Sequence, residues 1–308
     1  MKHIFLVFCL VLCAILLTAY VCFRLAFYVS KKQRKDPDPY AIPPGKIYEP
    51  HREIMVKWMK EADALVHKEL SITSFDGLQL YGNFYEYAPG APIELMFHGY
   101  RGSARRDLCG GVQRCFSLGR SALVVDQRTS GKSGGRVISF GINEHRDCLD
   151  WVRFMISYFG EDVKIYLTGI SMGASTVLMA AGTPLPKQVI GVVADCGYTS
   201  PRAIIQKVIC QLKLPAKLLY PFVRLGAILY GGFDPESFSP IEAVKTMTVP
   251  VVFAHGETDD FVPCRMSIEN YEACSSPNKL LFTVPDTGHG LAYIKDPEGY
   301  KKALQSVS

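Results

Sequence analysis

The chain has 308 residues, 48% hydrophobic and 20% charged, with 34 Lys and Arg against 29 Asp and Glu for a net charge of +5. That length holds one large α/β domain beyond an N-terminal segment. Much of the small basic excess lies in one cluster, Lys31-Lys32-Gln33-Arg34-Lys35, so the charge excludes a case for nucleic acid as a partner.

Ile4 to Phe23 carries no charge over twenty residues. As a helix it reaches about 30 Å, the thickness of a bilayer hydrocarbon core. A secretory signal has a shorter apolar run ending in a small-residue cleavage site, and no convincing one is present. Cys9, Cys13 and Cys22 follow Phe8, Leu12 and Val21 rather than the small residue of a lipoprotein site. Residues 1–30 are therefore read as a retained single-pass membrane anchor. Lys2 and His3 stand on one side of it, and Arg24 with the basic cluster on the other. That asymmetry favours a cytoplasmic domain over an extracytoplasmic one. The seven later cysteines are odd in number and scattered without ligand spacing, as in reduced, buried thiols. Residues 31–48, with Asp36-Pro37-Asp38-Pro39 and Pro43-Pro44-Gly45, read as a basic, stiff, extended linker. The remaining domain is 49–308.

Apolar residues from Ile54 to Val66 recur at helical spacing. Leu70 to Tyr87 reads as two strands turning at Asp76-Gly77. Apolar strands then alternate with helices, which argues a mostly parallel sheet covered on both faces. The strands are expected at 93–97, 121–125, 163–168, 189–194, 249–254 and 280–284. Helices are expected near 105–118, 143–158 and 172–181, with a last one opening at Pro297. The long interval at about 200–247 carries the apolar run Leu214 to Val223. It reads as helices packed at the sheet edge, as a small cap giving the site an apolar wall, or as both.

One stretch holds a chemical signature. Gly169-Ile170-Ser171-Met172-Gly173 joins a β-branched run to a helical one, the strand-turn-helix setting of a G-x-S-x-G nucleophile elbow. Ligands in such sheets sit at the carboxyl ends of strands. Asp259 and Asp260 follow one strand in His255-Gly256-Glu257-Thr258-Asp259-Asp260, and His289 follows the last in Gly288-His289-Gly290. Ser, Asp, His is the chain order of α/β-hydrolases.

On these residues, with His98-Gly99-Tyr100-Arg101-Gly102 and Asp126-Gln127-Arg128, the chain resembles the α/β-hydrolase superfamily across about Leu70 to Leu304. It looks most like bacterial membrane-anchored or exported hydrolases of the serine-aminopeptidase-like (esterase/lipase) group. Gln127-Arg128-Thr129-Ser130-Gly131 departs from the family's D-x-R-G-H-G run, at a place usually structural. The resemblance implies Ser171 as nucleophile, His289 as base and Asp259 as the acid that orients it. Asp260 is then a loop or capping residue and Asp195 a turn carboxylate, although some members draw their acid from the latter position. It further implies an oxyanion hole of the Tyr100 and Met172 backbone N–H groups. His98 and His255 read as structural. No metal-ligand spacing occurs, so neither metal nor cofactor is expected. The activity implied is hydrolysis of an ester, thioester or related acyl bond in a small or lipid-like substrate. A peptidase with the same residues and a catalytically silent binding domain are the alternatives.

Overall fold

The computed structural model describes residues 1–34 and 38–306. Lys35, Asp36 and Pro37, which belong to the expected basic cluster and linker, lie outside the described residues. Eight strands form one sheet in the order β1-β2-β4-β3-β5-β6-β7-β8. They are β1 (Lys68–Thr73), β2 (Gln79–Tyr85), β3 (Ile93–Phe97), β4 (Ser121–Asp126), β5 (Ile165–Ile170), β6 (Val189–Asp195), β7 (Val251–Gly256) and β8 (Lys279–Val284). β2 runs antiparallel to both β1 and β4, and the other pairings are parallel. The antiparallel entry follows from the tight turn at Gly77, whose φ of +85° is glycine's region. β3 to β7 are buried almost throughout, because helices cover both faces of the parallel part.

The α-helices among the described residues are α1 (Lys2–Ala26), α2 (Arg52–Ala64), α3 (Ala104–Asp107), α4 (Gly111–Ser117), α5 (Glu144–Phe159), α6 (Met172–Ala181), α7 (Pro201–Gln211), α8 (Ala216–Gly226), α9 (Pro240–Ala243), α10 (Arg265–Ala273), α11 (Ala292–Lys295) and α12 (Pro297–Ser306). A π-type turn, Ala227–Gly231, prolongs α8. The single helix expected over 105–118 is two, divided at Gly110, whose φ is +82°. α6, apolar on all sides, is wholly buried at the centre. In β3 the carboxylate of Glu94 is fully buried, held by Arg114 at 2.6 Å, Arg120 at 2.9 Å and the Thr168 hydroxyl at 3.1 Å. Removing the carboxylate would leave two buried guanidiniums without it, and removing both arginines would leave the carboxylate desolvated and unpaired.

The end of the N-terminal segment, from Ala19 to Val29, packs one face on the domain. Val29 N–H bonds Arg136 C=O at 2.8 Å, and Ile138 N–H bonds Phe27 C=O at 2.9 Å. Phe23 and Phe27 join a cluster with Phe140, Tyr220 and Phe233. Past the undescribed residues, Asp38 to Ala41 forms a turn closed by Ala41 N–H on Asp38 C=O at 3.1 Å.

Candidate active site

β5 ends at Ile170 and α6 begins at Met172, leaving Ser171 at φ 57° and ψ −117°. A side chain in that region is strained, and two glycines make the turn fit. A methyl group on Gly169 would lie 2.1 Å from Gly173 C=O, and one on Gly173 would lie 2.1 Å from Phe97 C=O at the end of β3. The turn lifts Ser171 above the sheet at the positive end of α6.

His289 and Asp259 reach it from the loops after β8 and β7. His289 Nε2 lies 2.9 Å from Ser171 Oγ, and its Nδ1 lies 2.6 Å from Asp259 Oδ2. With a carboxylate at Nδ1, that nitrogen carries the proton and Nε2 is left to accept from the serine hydroxyl. Thr258 N–H on Thr287 C=O, at 3.0 Å, ties the two loops together. Phe261 sets its edge against the His289 ring at 5.1 Å.

Asp259 is buried and fully engaged. Its Oδ1 accepts the N–H groups of Phe261 and Val262, both at 2.9 Å. Oδ2 accepts from His289 and also faces His255 Nε2 at 3.1 Å. Burial pushes the carboxyl pKa up, but the hydrogen bonds from His255 and His289 outweigh it and bring it down to about 2. His255 Nε2 has a second acceptor, Val262 C=O at 2.8 Å, so it carries the proton and Nδ1 accepts from Ser267 Oγ at 2.7 Å. His255 therefore holds the Asp259 carboxylate in place, where the sequence offered only a loop position.

The other carboxylate and histidine candidates make their hydrogen bonds elsewhere than to His289. Asp260 points its backbone carbonyl at Lys207 and Gln211, each at 2.8 Å. Asp195 Oδ2 accepts from Tyr300 at 3.1 Å, and burial pushes its pKa up. His98 is locked in its loop, with Nε2 accepting Gln127 N–H at 3.0 Å and Nδ1 donating to Gly99 C=O at 2.8 Å. Met172 is the first residue of α6, and Tyr100 follows Gly99, where a methyl group would lie 3.5 Å from Ser171 Cβ. Asp107, which the sequence did not single out, accepts Gly99 N–H at 3.1 Å and Arg106 Nε at 2.8 Å. It thereby fixes the loop carrying Tyr100. One trio among the described residues, Cys196, Asp259 and His289, brings possible metal-ligand atoms within 4.8 Å of one another. Burial pushes the Cys196 thiol well above its ordinary pKa.

Ser171 and His289 open into a cavity of about 640 Å³. Its walls include Pro43, Ile47 and Tyr48 from the expected linker, Met55 from α2, and Tyr293 and Ile294 from α11. Of the two readings of the insertion at 200–247, a cap would give this cavity an apolar wall, and none of the insertion's residues lines it. Its apolar side chains pack instead on α1, because Tyr220, Val223 and Ala227 bury against Phe23 and Phe27.

No protein-family model matches the chain. It is 29% identical over 189 residues to the uncharacterized protein YqkD of Bacillus subtilis, a match covering 61% of this chain and 62% of that protein. The chain thus spans less than two thirds of that relative. It is 25% identical over 243 residues to the uncharacterized protein Rv2307c of Mycobacterium tuberculosis, covering 75% and 73% of the two chains. Among solved structures it is similar to the Pyrococcus furiosus esterase Pf2001, with a TM-score of 0.63, 24% identity and coverage of 79% and 90%. It is also similar to the Pyrococcus horikoshii acylaminoacyl peptidase, with a TM-score of 0.56, 16% identity and coverage of 79% and 41%. The chain has the α/β-hydrolase fold.

Proposed function

We propose that the protein is a membrane-anchored serine hydrolase that cleaves a carboxylic ester, thioester or related acyl bond. What supports this most is the continuous hydrogen-bonded chain from Ser171 Oγ through His289 to Asp259, at 2.9 and 2.6 Å. In this reading His289 Nε2 takes the hydroxyl proton as Ser171 Oγ attacks the carbonyl carbon. Asp259, already ionised, stabilises the imidazolium that forms. The N–H groups of Met172 and Tyr100 receive the oxyanion, each worth about 3 kcal/mol of transition-state stabilisation. His289 then returns its proton to the leaving group, and water activated by the same imidazole releases the acid and frees Ser171.

The esterase among the similar structures and the apolar side chains around the cavity favour an acyl substrate over a peptide. α1 is the anchor, being 25 residues long and apolar enough to cross a bilayer. The domain faces the cytoplasm on the charge asymmetry around α1. A panel of p-nitrophenyl esters of increasing chain length, beside aminoacyl anilides, tests the reading. Esters turned over by wild type and not by Ser171→Ala support it. Cleavage of the anilides alone transfers the assignment to a peptidase, and no turnover of either supports a binding domain.

A further inference from the structure

The apolar part of α1 is long enough to cross a bilayer only if all of it is used, and one face of its last third already packs on the domain. Ala19 and Phe23 are buried. The backbone of Gly226 in α8 comes so close that a methyl group there would lie 2.3 Å from Ala19 C=O. Tyr230 in the π-type turn donates its hydroxyl to Leu16 C=O at 3.2 Å and sets its ring edgewise on Tyr20 at 5.2 Å. The insertion therefore grips α1 from Leu16 to Phe23. Ile4 to Ile15, the part left uncovered, rises only about 18 Å, against about 30 Å of hydrocarbon.

Two further features show what the outer side of this grip is built to meet. Ile228, Leu229 and Tyr230 are 44%, 50% and 39% exposed beside α1, whose own apolar side chains are bare. From Pro201 to Phe233 the chain has five Lys and Arg and no Asp or Glu. Arg202 and Arg224 pair with Asp234 and Glu236 just beyond, and Lys207 donates to Asp260 C=O, so Lys213 and Lys217 are the charges placed to meet anionic headgroups. At the end of α1, Arg24 lies over the Tyr28 ring at 4.1 Å, and Arg101 donates to Leu25 C=O at 2.8 Å and Tyr28 C=O at 3.2 Å. Arginine and tyrosine gathered at one level mark a membrane interface.

We propose that α8 and the π-type turn lie inside the near leaflet, alongside the docked end of α1, with bilayer lipid as the partner of Ile228, Leu229 and Tyr230. The depth follows from the seven-residue rise between Leu16 and Phe23, about 10 Å. The proposal rests on α1 crossing the membrane. It also bears on substrate. Tyr100 and Arg101 line the cavity, and both bond to the end of α1, Tyr100 through its hydroxyl to Ala26 C=O at 2.6 Å. The cavity rim is thus fixed at headgroup level, where an acyl chain passes from the leaflet to Ser171 without crossing water.

The test uses the full chain in phosphatidylcholine–phosphatidylglycerol vesicles, with single tryptophans added by Leu229→Trp, Ile228→Trp or Leu10→Trp and the signal of Trp58 and Trp151 subtracted. Circular dichroism checks that each variant is folded, and Ile228→Trp replaces Leu229→Trp should the latter not fold. The added tryptophan at 229 or 228 is expected to lose its fluorescence to brominated phosphatidylcholine and keep it against aqueous iodide, as at 10. Lipid quenching at 10 with iodide quenching at 229 and 228 would overturn the proposal while leaving the anchor. Iodide quenching at all three would overturn the anchor and the proposal together.

Discussion

The two sides of the cavity are built on opposite principles. On one side Ser171, Asp259 and His289 stand on short loops at the carboxyl ends of strands, and each position is set within a few residues of a strand end. On the other, Pro43, Ile47 and Tyr48 come from a segment with little regular structure, held by contacts to chain far away in sequence. The difference teaches where sequence carries information. Local turns that must present a nucleophile leave a motif, whereas a wall made by long-range packing leaves only composition.

The largest effect separates the two adjacent carboxylates. Asp259→Asn removes the charge that favours the imidazolium, and turnover of a p-nitrophenyl ester is expected to fall about 10⁴-fold. Asp260→Asn, outside the hydrogen-bonded chain, should change it little. The opposite ranking in matched kinetics would move the acid to Asp260.

How much of this was legible follows the same division. The glycines at 169 and 173 are dictated by contacts of about 2 Å, so the elbow was readable from five residues. The alternation of β-branched with helical runs made the parallel sheet and α6 readable, and Asp76-Gly77 the antiparallel entry. Gly110 splits the helix expected over 105–118 because the chain there adopts a left-handed φ, which helical periodicity does not report. Glu94 escaped notice because its two arginines are 20 and 26 residues away. Asp107 and His255 act through other residues and have no signature of their own. The insertion at 200–247 was readable as apolar, but which apolar surface it would meet was not. Prolines at 43 and 44 suggested a spacer, yet the segment after them packs Ile47 close to Gly288, beside His289.

A smaller loss sharpens the role of His255. His255→Gln weakens one hydrogen bond to a charged group, worth about 1.5–3 kcal/mol. kcat should fall roughly tenfold to hundredfold with KM unchanged. An equal rise in KM would instead mean that His255 only shapes the binding wall.

The ionisation of Asp259 has a stability consequence of about 2 kcal/mol. Its pKa is about 2 in the folded protein, below the ordinary value of 3.8. The contribution is therefore full above about pH 4 and is lost as pH falls towards 2. Thermal melts of wild type and Asp259→Asn between pH 6 and pH 2 should converge on acidification. A gap that stays constant over that range would show that the carboxylate is not held ionised by its partners.

The smallest expected effect belongs to the opposite wall. Ile47→Ala removes part of an apolar surface, about 1 kcal/mol or roughly fivefold in kcat/KM. The loss should appear for octanoyl esters and not for acetyl esters. Equal losses for both would place Ile47 in support of His289 through Gly288 rather than against the acyl chain.

The proposed reaction requires Ser171 to be a nucleophile activated by His289. Reaction of the full chain with a fluorophosphonate, followed by peptide mass mapping, tests it most directly. One phosphonyl adduct is expected, on the peptide carrying Ser171, absent from Ser171→Ala and much slowed in His289→Ala. A folded wild-type protein that takes up no label, or that carries it on another residue, would contradict it.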